Sequence, residues 1–361
     1  MNIKEKIQSM NIPSVLCPFG KELKCKEDFE AAKPLIKKLL CDEEYGVMPE
    51  APESISVEVV SENSKFCAGK AKYTEYVMHA KVGGEDVSFP FYSAIPQKQG
   101  KIPTFIHINF DNLMPSKYQP TEEIIDRGYA VFTVFYKEVT SDDGDFENGI
   151  AKALVKDRSV PNATGKIALW AWSIMRVIDY VETLDFYRED ALAVIGHSRL
   201  GKTTLLTAAF DERVKFACAN DSGTSGDAIT RCTRGESLKA ITDRFPFWFC
   251  PNYLKYQDKE NELPFDQHYL LSLIIPRAIL NGSAEEDLWA DPHNQLFSAV
   301  LAKDVYELYG MKGLIYPECI PDSPFKLQDG DASFHTRLGI HYLGREDWNI
   351  YMDFIDKKIN K

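Results

Sequence analysis

Six short, almost continuously apolar runs separated by helical patterns constrain what this 361-residue chain can fold into. They are PTFIHIN (103–109), YAVFTVFY (129–136), ALAVIG (191–196), VKFACAN (214–220), RAILNG (277–282) and FHTRL (334–338). A strand with one wet face alternates apolar and polar residues. A strand without polar interruptions has both faces covered, as when helices flank a parallel sheet. Between these runs, residues 165–184 place Ile167, Trp170, Ile174, Val177, Ile178 and Val181 on one stripe at helical spacing, which predicts an amphipathic helix. The last segment repeats the pattern with Trp348, Tyr351, Met352, Ile355 and Ile359.

Upstream of the sheet the period changes to two. Thr74, Tyr76, Met78, Ala80 and Val82 alternate with polar residues, and after Gly83-Gly84 so do Val87, Phe89, Phe91 and Ile95. Two such runs around Gly-Gly predict a β-hairpin. Residues 1–52 read as a helical lead-in, and 53–361 as a single α/β domain. A hairpin, then strand–helix alternation, then a closing helix is the plan of an α/β-hydrolase fold: a mostly parallel sheet with an N-terminal antiparallel hairpin and helices on both faces. The stretch from about 222 to 276 is long for a connection and rich in aromatics (RFPFWFCPNYLKY). It predicts an insertion over the carboxyl edge of the sheet, where such folds place ligands, with Trp248 and Phe249 in its core.

Composition narrows the partners. With 42 Lys and Arg against 54 Asp and Glu, the net charge of −12 disfavours binding to a phosphate backbone. No apolar run approaches the roughly 20 residues needed to span a bilayer. The polar opening MNIKEKIQSMNIPSV lacks the apolar core of an export signal, so a cytoplasmic location is expected. The eight cysteines are scattered with no C-x-x-C pair, and no H-E-x-x-H, G-x-G-x-x-G or P-loop occurs. The expectation is therefore a protein without metal or nucleotide cofactor, whose thiols are idle.

The chemistry concentrates where ALAVI runs into Gly196-His197-Ser198-Arg199-Leu200-Gly201-Lys202 and then a helix. A serine at a tight strand-to-helix turn holds its hydroxyl above the sheet, with the helix's first N–H groups facing any oxyanion formed there. Leu200 occupies the second glycine position of the generic G-x-S-x-G pattern, and Gly201 follows one residue later. Serine also needs a base. In this fold the base lies after the last strand, which leaves His335, inside a strand, and His341, in a loop before the closing helix. The supporting acid is either Asp221, which ends the strand after the elbow helix, or Asp287, which follows the next strand and fits the general plan slightly better. Oxyanion donors are expected at the Arg199 backbone N–H and near Asn109-Phe110, after the PTFIHIN strand.

The run GHSRLGK, followed by FDERVKFACANDSGTSGDAITR, resembles the glucuronoyl esterase family (carbohydrate esterase family 15) and its bacterial relatives. So do YGVMP (45–49), INF (108–110), RFPFWF (244–249), SAEEDLWADP (283–292) and RLGIHYLGREDW (337–348). The resemblance covers roughly 45–358. His197 stands where the family commonly has cysteine, and Asp221 where it often has glutamate. The resemblance implies an acyl-enzyme mechanism with Ser198 as nucleophile and His341 as base, and the Arg199 guanidinium as an added donor. It further implies Lys202, Glu236 and Trp289 as sugar contacts. The expected substrate is a small carbohydrate ester, first a 4-O-methyl-glucuronoyl methyl ester. An acetyl ester of xylan or xylo-oligosaccharide is the alternative, and a catalytically silent sugar-binding fold the distant one.

Overall fold

In the computed structural model, which describes residues 1–360, ten strands form one sheet. They are β1 (Ser54–Phe66), β2 (Ala71–Val82), β3 (Glu85–Pro96), β4 (Ile102–Asn109), β5 (Ala130–Phe135), β6 (Tyr187–His197), β7 (Phe216–Asn220), β8 (Ala278–Ala284), β9 (Phe325–Leu327) and β10 (Ser333–Arg337). Their order is β1-β2-β3-β5-β4-β6-β7-β8-β10-β9. The block β5-β4-β6-β7-β8-β10 is parallel and corresponds to the six apolar runs; the strands on either side of it are antiparallel. This is the α/β-hydrolase arrangement that the run pattern predicts.

Three features depart from expectation. The hairpin is the inner part of a three-stranded meander. Its first strand, β1, is exposed over most of its length, so burial left no apolar alternation to read there. The short edge strand β9 carries only three residues and no pattern. The helix Lys166–Val181 is buried nearly all round rather than along one stripe. Its outer side is covered by neighbours distant in sequence: Trp172 Nε1 donates to Glu50 O at 2.9 Å, and the backbone at Trp248 and Phe249 comes so close to Gly165 that a Cβ there would lie 2.2 Å from Trp248 O.

The lead-in packs into the main core through Ile3, Phe29, Ile36, Leu40 and Tyr45. The insertion joins it, with Cys250 N donating to Glu44 O at 2.8 Å. Large side chains such as Trp170, Trp172 and Trp348 are fully enclosed, each stabilising the fold by roughly 1.5–3 kcal/mol. No helix among the described residues is long and apolar enough to cross a membrane.

Register positions the chemistry. His197, Asn220 and Gly282 are cross-strand partners on β6, β7 and β8, and Gly282 faces His335 on β10. β6 and β7 end at this rung and β8 and β10 run two residues past it, so the loops beginning at 198, 221, 285 and 338 leave from one edge.

Candidate active site

Ser198 has φ 58° and ψ −127°, a left-handed bend imposed between β6 and the helix Arg199–Phe210. Such a conformation costs a non-glycine residue on the order of 1–3 kcal/mol and persists only where packing enforces it. Here two glycines permit that packing. A Cβ on Gly196 would fall 2.3 Å from Leu200 O, and one on Gly201 would fall 2.9 Å from Ser222 Cβ. The second glycine stands one residue late because its contact is with the loop after β7. Gly201 N and Lys202 N donate to Ser198 O, whereas the Arg199 N–H has no partner among the described residues.

His341 and Ser198 line the same cleft of about 240 Å³, together with Arg199, Lys202, Asp221, Glu236, Trp248 and Trp289. The imidazole is partly open to solvent, and its Nδ1 lies 2.5 Å from Asp287 Oδ2. Asp287 is buried and held by the Ala290 N–H at 3.3 Å from its Oδ1. A carboxylate on Nδ1 leaves Nε2 as the free basic nitrogen, the arrangement needed to take a proton from a serine hydroxyl. No hydrogen bond joins Ser198 Oγ to the ring; in an unliganded site such bonds are commonly long.

Asp221 lies beside this pair, fully buried, with Ala284 N donating to its Oδ1 at 2.9 Å and Arg337 Nη2 3.6 Å from its Oδ2. Burial, reinforced by the charges of Asp287 and Asp347, pushes its carboxyl well above the usual range, with Arg337 opposing. Asp221, Asp287 and His341 offer ligand atoms within 4.8 Å of one another, and the His341–Asp287 bond lies within this set. His335 sits inside β10, buried, bonded through Nε2 to Asp347 Oδ1 at 2.9 Å. It is not in the cleft. The His197 ring lies 4.3 Å from the His341 ring, tilted by 43°, and pairs with Asn220 at 2.6 Å; burial and the neighbouring imidazole hold it well below the usual histidine range, and so neutral.

Of the expected oxyanion donors, the Asn109-Phe110 pair needs revision. Phe110 N already donates to Asn109 Oδ1 at 2.8 Å, the Asn109 amide is tied to Ser116, and neither residue lines the cleft. The Arg199 guanidinium does border it, but is committed elsewhere. It pairs with Asp142 and lies 4.6 Å over the Trp248 ring, whose Nε1 also donates to Asp142 at 2.7 Å. Asp142 comes from SDDGDF, a run that reads only as a polar loop. Trp248, expected in the insertion's core, is indeed buried but also forms a cleft wall.

On the substrate side, Lys202 is buried and spends two donors on Ser222 O and Thr224 O. Burial lowers its affinity for a proton, with Glu236 countering. Glu236 is buried with its backbone N–H bonded to Trp289 O at 2.8 Å, and Arg231, five residues before it, pairs with Asp266. Trp289 is half exposed at the mouth. Lys202, Glu236 and Trp289 thus converge on the serine.

A family model described as fungal glucuronyl esterase matches residues 78–310. A carbohydrate esterase from an unknown prokaryotic organism is 39% identical over 241 residues, 65% of this chain and 55% of that protein's length. A 4-O-methyl-glucuronoyl methylesterase of Schizophyllum commune is 25% identical over 81% of this chain and 72% of its own. Among solved structures, a glucuronoyl esterase from Solibacter usitatus gives a TM-score of 0.89 at 29% identity, covering 96% of this chain and 98% of that one. A promiscuous family 15 esterase from a marine bacterial metagenome gives 0.86 at 28%, covering 96% of each.

Proposed function

We propose, from the premise that the chain belongs to the glucuronoyl esterase family, that it is a serine esterase cleaving carboxylic esters of a glucuronic acid. The observation that carries this reading is His341, bonded to the buried Asp287, sharing a cleft with the strained Ser198. His341 Nε2 takes the hydroxyl proton as Ser198 Oγ attacks the ester carbonyl, and Asp287 stabilises the imidazolium. The oxyanion forms against the Arg199 N–H, a kind of donor worth roughly 10²–10³ in rate. Collapse expels the alcohol, which receives the proton from His341. Water then repeats the sequence on the acyl-enzyme, releasing the uronic acid and restoring Ser198.

The buried lysine and glutamate beside a half-exposed tryptophan favour recognition of the acyl part, a hydroxylated ring, over a sugar in the alcohol part. Relatives named 4-O-methyl-glucuronoyl methylesterases support the same choice. The eight cysteines are unpaired, which supports a reducing, cytoplasmic setting and a small ester as substrate. Parallel assays on methyl glucuronate and acetylated xylobiose test the reading: turnover of the first, abolished in Ser198→Ala, is expected. Turnover of the acetyl ester alone would replace it with the acetyl-esterase alternative.

A further inference from the structure

The loop that carries His341 has almost no backbone hydrogen bonds of its own. From Leu338 to Gly344 its backbone joins the rest of the chain through Glu286 N on Gly339 O and Trp348 N on Gly344 O. Its carbonyls are instead collected by one side chain. Arg337, the last residue of β10, is buried and turns its guanidinium under the loop. Nη1 donates to Leu338 O at 3.1 Å, and Nη2 donates to Ile340 O at 2.9 Å and to Tyr342 O, the residues on either side of His341. Its Nε donates to Asp347 Oδ2 at 2.9 Å, and the same oxygen receives Gly344 N at 2.8 Å, which closes the loop's far end. On the opposite side, Nη2 faces Asp221 Oδ2 at 3.6 Å.

We propose that Arg337 is a positioning residue for catalysis, fixing the His341 ring over Ser198 by bracketing its carbonyls and balancing the buried acids behind it. The proposal rests on the esterase reading above. Only a planar fork with five N–H donors can serve this many acceptors at once; an ammonium is a point charge with three donors. The loop's shape is thereby set by a single guanidinium rather than by a ladder. Gly339, at φ +104°, belongs to the same device, since a Cβ there would lie 3.2 Å from Arg337 Nη1.

The test compares wild type, Ser198→Ala, His341→Ala, Arg337→Lys, Arg337→Met and Arg337→Ala on methyl glucuronate, with thermal unfolding of each. Wild type inactive on methyl glucuronate would sink the uronate-esterase reading itself. With active wild type, kcat in folded Arg337→Met is expected to fall by about 100-fold with KM within about threefold, since ring placement matters in the transition state and not in binding. Arg337→Lys is expected to recover less than about a tenth of the loss. Should the methionine variant not fold, the lysine variant, which keeps charge and stem, carries the same comparison. Added guanidinium is expected to raise kcat in Arg337→Ala and to leave His341→Ala unchanged. A folded Met or Lys variant with kcat within threefold of wild type overturns the assignment.

Discussion

Asp221 and Asp287 stand at the ends of neighbouring strands with oxygens within 4.8 Å, yet only Asp287 bonds the His341 ring. Asp221 is fully enclosed, and burial reinforced by the Asp287 and Asp347 charges pushes its carboxyl well above the usual range, with Arg337 opposing. An amide keeps the shape of the acid and places no charge in that enclosed position. Asp221→Asn is therefore expected to lower kcat less than tenfold, and Asp287→Asn by about 10³–10⁴. Steady-state kinetics on a uronate ester decides, and the reverse ranking would exchange the two roles.

The bend at Ser198 stores strain that glycine would release. Ser198→Gly is expected to abolish turnover while raising stability by about 1 kcal/mol in urea unfolding, the relief outweighing the added freedom of the unfolded chain. A destabilised glycine variant would mean that the serine side chain contributes to packing at the elbow.

Glu44, buried where the lead-in meets the insertion, is bonded by Gln267 Nε2 at 3.0 Å, and burial pushes its carboxyl up to about 8. The unfolded glutamate ionises near 4.5, so between these values the folded state binds the extra proton and stability falls as pH rises. Glu44→Gln is expected to be more stable than wild type at pH 8 by a few kcal/mol, with the gap closing towards pH 5. Chemical denaturation at both pH values measures it, and parallel curves would place the proton elsewhere.

Trp289 is half exposed and adjoins the serine's cleft. Trp289→Ala is expected to cut kcat/KM for a uronate ester by about tenfold, mainly through KM, with stability changed by less than about 0.5 kcal/mol. Unchanged kcat/KM would remove this ring from sugar recognition.

The six central strands were legible because a parallel sheet clad on both faces writes itself as unbroken apolar runs. β1 was not, because most of its side chains meet water and nothing in SISVEVVSENSKF reports a buried face. The expected stripe on Lys166–Val181 missed its outer side, since the residues that cover it come from loops before residue 52 and after residue 244. At the candidate site, fold plan and motif offered Ser198, His335 or His341, and Asp221 or Asp287, and the family resemblance chose His341. The Asn109-Phe110 expectation failed on a single local bond, the Asn109 side chain capturing the Phe110 N–H. The arginine partners were invisible for another reason. Asp142 lies 57 residues from Arg199, and only folding creates the pair.

The level alignment of His197, Asn220 and Gly282 also has an evolutionary side. Rungs beneath the catalytic rim are main-chain bonds, indifferent to which side chains the overlying connections carry. Connections above it can lengthen, shrink or change composition away from their contacts with the elbow, such as Ser222 against Gly201, while nucleophile, base and acid keep their mutual spacing. New ester preferences can thus arise by rewriting the canopy over an unchanged floor.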